Sequence, residues 1–130
     1  SPKDLEKNVS PKNISDLNQH PFISFGRGAP SPVYNPDWAL KLGTKDNKKR
    51  KTVMKVNSVY GLLLAVQSGV GLAALPDYIT VNQPNIVKVL PNVEGPITEA
   101  HFVYPQSMKN VARVQAFRNF LYSKISEWEF

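Results

Sequence analysis

Hydrophobic and polar positions change period several times along the chain, and each change marks a predicted element. Residues 56–76 read as strand, helix, strand: the polar pair Asn57 and Ser58 opens a run of helix formers that Gly69 closes, and the short apolar run 72–75 stops at Pro76. Gly61 is the weak spot inside that helix. From Lys109 onward, Val111, Val114, Phe117, Leu121, Ile125 and Trp128 recur at spacings of three and four, which predicts a long amphipathic helix. Its apolar stripe must cover a sheet or meet a partner chain.

The remaining elements follow from shorter signals. Ser1-Pro2-Lys3-Asp4 predicts a helix start, and a second start at Ser10-Pro11 or Asn13 gives a helical turn that breaks at His20-Pro21. Strands are predicted over 22–25, 38–42, 51–56, 86–90 and 97–104, with 38–42 and 51–56 forming a hairpin. Residues 77–79 predict a helical turn. Gly26-Arg27-Gly28-Ala29-Pro30 is a loop leaving the end of a strand, the place where α/β proteins commonly meet their ligands.

Composition narrows the class. At 130 residues and 42% hydrophobic content the chain is long enough for an α/β core, and without cysteine it holds neither disulfides nor thiolate metal sites. No apolar run reaches the roughly 20 residues of a membrane span, and the N-terminus lacks a signal-peptide pattern. The net charge of +6 is uneven: Lys45, Lys48, Lys49, Arg50 and Lys51, less the acid Asp46, carry +4 of it. With no interleaved aromatics, that run reads as a solvated turn rather than a nucleic-acid footprint.

Catalytic chemistry is hard to assemble, because the chain has no nucleophile elbow, metalloprotease helix motif or phosphate loop. His20 and His101 read as ordinary surface or turn histidines. Binding fares better: Asn57 and Ser58 sit at a helix N-terminus, where free N–H groups favour a carboxylate or phosphate, and Arg27 is a second candidate for holding an anion. Each also has a plain structural reading, Asn57 as a helix cap and Arg27 as a solvated loop cation.

The order of these pieces resembles the effector-binding domain of LysR-type transcriptional regulators. The resemblance rests on Asn57-Ser58 and the helix after it, then Ser68-Gly69-Val70-Gly71 and Leu72-Ala73-Ala74-Leu75-Pro76. Asp16-Leu17-Asn18-Gln19-His20-Pro21-Phe22-Ile23, Trp38, Val103-Tyr104-Pro105 and Val114-Gln115-Ala116-Phe117 extend it over nearly the whole chain. It implies a periplasmic-binding-protein-like (type 2) α/β fold, a mixed sheet flanked by helices, with residues 1–98 as the second effector subdomain. Residues 99–130 would be a crossover strand and a helix belonging to the first subdomain, most of which, with the DNA-binding domain, would precede Ser1.

The implied function is sensing of a small, anionic effector to modulate DNA binding, by a cytoplasmic homo-oligomer that is no enzyme, needs no cofactor or metal and meets neither membrane nor DNA directly. The implied effector contacts are Asn57, Ser58, Val70, Phe25, Gly26 and Arg27. A solute-binding protein or catalytic relative on the same fold, and an oligomerisation module built on the last helix, stand as alternatives.

Overall fold

The computed structural model describes residues 1–2, 5, 8–26, 35–45 and 48–127. The chain divides into two units, Ser1–Thr98 and Glu99–Phe130. In the first, strand β1 (Phe22–Phe25) pairs in parallel with β2 (Thr52–Val56), followed by helix α1 (Val59–Gln67) and the short α2 (Asp77–Thr80). A 3₁₀ helix, Ile14–Gln19, leads into β1 and a second, Trp38–Leu40, lies between the strands.

Strand β1 is buried along its whole length because it has a core on each side. Ile23 and Phe25 pack with Leu62, Ala65 and Val66 of α1. Phe22, facing the other way, joins Leu17, Leu40 and Leu72. This explains why the four residues Phe-Ile-Ser-Phe carry almost no polar alternation: a strand covered on both faces reads as a continuous apolar run.

The helical turn expected after Asn13 is the 3₁₀ helix Ile14–Gln19, capped by the Asn13 side chain and ended at His20 before Pro21. The turn at 77–79 is α2. The helix expected at the N-terminus falls largely on residues outside those described.

Several expected strands are corrected. Residues 38–42 form no strand, and with them the hairpin disappears. Hydrogen bonds from Leu40 to Asp37 and from Lys41 to Trp38 close tight turns instead, and Gly43 leaves in the left-handed region at φ +64. The alternation that suggested a strand is met by a 3₁₀ turn that buries Leu40 beside half-buried Ala39, and a five-residue window does not separate the two. Strand β2 pairs with β1 in parallel rather than with a hairpin partner.

The second strand of the strand–helix–strand stretch 56–76, expected over 72–75, shrinks to a single bridge between Leu72 and Phe22, with Leu72 N–H donating to Pro21 O and Ile23 N–H donating to Leu72 O. The next rung needs the Phe25 N–H, and that donor goes to Asp37 Oδ1 at 2.9 Å. All pairing among the described residues is therefore parallel, where a mixed sheet was expected. Residues 86–90 carry no strand either. They lie between turns closed by Ile86 on Gln83 and Val93 on Leu90, although Val89 and Leu90 still pack against the Phe22 core.

Residues 97–104, which straddle the boundary between the units, form no strand, and in the second unit α3 (Ala112–Ser126) is the long helix the periodicity predicts. The Phe102 ring meets Tyr104 and Phe117 at centroid distances of 5.5 and 5.7 Å. The predicted stripe is thus partly covered by its own unit's aromatics: Phe117 and Ile125 stay about half exposed, and Trp128 lies outside the described residues.

Candidate functional site

The candidate site starts from the direction of two strands. Parallel pairing brings the C-terminal ends of β1 and β2 to one edge, and α1 begins two residues beyond β2. Gly26 N–H donates to Val56 O at 2.8 Å, which ties the exit of β1 to the exit of β2. A Cβ on Gly26 would lie 3.4 Å from Asn57 Cβ, ordinary contact distance, so the exit of β1 and Asn57 pack directly against each other. Gly26, Asn57 and Ser58 therefore meet at one edge.

Ser58, and not Asn57, is the cap of α1. Its backbone is extended at φ −139, and its Oγ accepts from Gly61 N–H at 3.3 Å. Leu62 is the first intrahelical donor, bonding Ser58 O, so Val59 and Tyr60 carry the N–H groups that open the helix. A hydroxyl that accepts from Gly61 keeps its own proton to donate. Asn57 and Ser58 are both exposed, and the positive end of α1 adds to their donors.

The other expected contacts divide. Phe25 belongs to the core, 6% exposed, so its ring is a floor under the edge and not a surface for a ligand. Val70 follows α1 at its far end, with its N–H on Ala65 O, just before the bridge of Leu72 to the start of β1. It stands away from Asn57 by the length of the helix, because α1 runs antiparallel to the strand that precedes it. Arg27 lies outside the described residues. Asp37 was not anticipated: it accepts the Phe25 N–H and stands 3.9 Å from Lys49 Nζ, beside the end of β1. A lone acid in a proline-bounded turn gave no sequence signal for that role.

Among the described residues no three His, Cys, Asp or Glu side chains gather where a metal ion would be held, and no helix is long and apolar enough to cross a membrane.

A family model, the LysR substrate binding domain, matches the chain over residues 1–125. The chain belongs to that family. LysR substrate-binding domains are the effector-binding parts of LysR-type transcription regulators, with a periplasmic-binding-protein-like fold, and the chain's role is accordingly regulatory effector binding. Such domains belong to regulators rather than to enzymes. No curated protein and no solved structure matches the chain.

Proposed function

We propose that this LysR substrate-binding domain holds a small anionic effector at the edge where β1 and β2 end, and that the bound effector changes how the regulator engages DNA. The observation that carries the reading is the start of α1: Ser58 is engaged as an acceptor by Gly61 while its proton is left to donate, and exposed Asn57 stands beside it. Donors of that kind at the positive end of a helix suit a carboxylate. Arg27, next in sequence to Gly26, is proposed as the counter-charge. Coupling to DNA requires that the effector bind one arrangement of the regulator more tightly than another. Membership of a regulator family supports a cytoplasmic homo-oligomer as the working form.

A thermal-shift screen with small aliphatic and aromatic carboxylates tests this. A true effector at about 100 times its Kd stabilises by about 2.7 kcal/mol. Asn57→Ala is expected to remove most of that shift while leaving the ligand-free midpoint in place. Ser58→Ala is expected to remove it and also to cost about 1 kcal/mol of ligand-free stability through the lost cap. An effector shift that survives both substitutions would overturn the proposed site.

A further inference from the structure

Two acceptors compete for one donor on the free edge of β1. Leu72 N–H bonds Pro21 O and Ile23 N–H bonds Leu72 O, which is the first rung of a parallel ladder. In that register the next rung joins Ala74 N–H to Ile23 O and Phe25 N–H to Ala74 O. The side chains are already placed for it: Ala73 and Leu75 pack against the core that β1 shares with α1, and residues 73–75 are half-buried. Yet among the described residues 73–75 make no backbone hydrogen bond, and Asp37 Oδ1 holds the Phe25 N–H instead, at 2.9 Å. Asp37 is itself lightly held. A carboxylate accepts up to about four hydrogen bonds, and this one, only 20% exposed, has that single bond among the described residues, with Lys49 Nζ 3.9 Å away and beyond hydrogen-bond reach.

We infer that Asp37 is a detachable strand stop: its carboxylate takes the place of the Ala74 carbonyl on the Phe25 N–H, and its release lets 72–75 zip onto β1 as a third parallel strand. The exchange gives up one charge-assisted bond for two neutral ladder bonds, each about half as strong, so bonding sets the two arrangements close in energy. Zipping also pairs the Ala74 N–H and C=O, which the present arrangement leaves without a protein partner among the described residues. The segment that moves is short, bounded by the bridge at Leu72 and by Pro76, which has no N–H to extend a ladder. A ligand acts on a regulator by choosing between discrete arrangements, and this stop provides a pair of them one residue before Gly26 of the proposed effector edge. The stop itself does not rest on that reading, since it uses neither Asn57 nor Ser58.

Amide hydrogen exchange, read residue by residue by NMR on the 130-residue chain without ligand, tests this. In the parent the Phe25 amide is expected to be protected and the Ala74 amide to exchange as an open one. Asp37→Ala removes the stop: Ala74 protection is expected to rise by roughly tenfold while Phe25 stays protected, because its N–H passes to Ala74 O. Asp37→Asn keeps an acceptor oxygen without the charge, so its Ala74 protection is expected to fall between the other two. Ala74 exchange at one rate in all three chains would overturn the inference. So would a Phe25 amide that loses protection in Asp37→Ala with no gain at Ala74, the mark of a donor simply left open. If Asp37→Ala does not fold, Asp37→Asn decides against the parent: a gain at Ala74 supports the stop, and an unchanged rate overturns it.

Discussion

At the scale of single residues, Asp16 shows how a short polar motif holds a turn. Its Oδ2 accepts from the backbone N–H of Lys12 at 2.9 Å and of Asn13 at 3.2 Å, while the Asn13 side chain accepts from Asp16 N–H, so the two residues cap each other. The Lys12 N–H in particular holds the Asp16 carboxyl below its ordinary pKa. A carboxyl whose folded pKa is depressed contributes stability that is complete above its unfolded value, about 3.9, and is lost as pH falls through the folded value. Asp16→Asn is therefore expected to melt below the parent chain at neutral pH, with the gap closing as the pH drops below the ordinary carboxylate range. Thermal melts across that range check it, and a gap of constant size would place the effect in packing rather than charge. Asn13 and Asp16 were readable as a helix start because capping needs only three residues of chain. Asp37 was not, because its partner Phe25 is twelve positions away and is bonded through the backbone.

At the scale of elements, the true strands and the false ones differ in what their partners do. Residues 22–25 were legible because burial on both faces demands a continuous apolar run, and β2 because it follows a turn and precedes a clear helix cap. Segments 38–42 and 97–104 alternate and 86–90 is apolar on both faces, but among the described residues no ladder forms for them to join, and a local pattern by itself does not report pairing. The bridge at Leu72 lies between these cases, and Gly71 sets it. A Cβ at position 71 would collide with the Pro21 carbonyl, a backbone group with little room to move. The close approach is what lets Leu72 N–H reach Pro21 O at 2.9 Å. Gly71→Ala should push the two segments apart and destabilise by about 1–3 kcal/mol, the usual range for overpacking. Urea unfolding measures it, and a variant as stable as the parent would show that the turn relaxes freely. Gly61, by contrast, would press a Cβ against the Val56 side chain at 2.6 Å, with Ser58 only in ordinary contact, so the glycine that looked weakest in the sequence marks the packing of α1 on β2.

At the scale of the whole molecule, burial is unevenly shared. Every buried hydrophobic residue among those described lies in Ser1–Thr98, and α3 has none. The edge where Gly26, Asn57 and Ser58 meet was legible in outline, since a parallel strand pair followed by a helix always delivers a helix start to that end of the sheet. The same geometry carries Val70 to the opposite end, which a linear motif match does not reveal. Because both cores are made within the first unit, a chain ending at Thr98 is expected to unfold in one cooperative transition at the same urea midpoint as the 130-residue protein. The corresponding peptide, residues 99–130, should show little helix by circular dichroism in water, because a single helix of 15 residues is marginal without a packed face. A clear drop in the midpoint of the shortened chain would mean that the second unit contributes to the stability of the first. A strongly helical peptide would mean that α3 draws its stability from its own turns and from the Phe102, Tyr104 and Phe117 contacts. Together the two measurements separate a self-sufficient effector-binding body from one that needs its final helix.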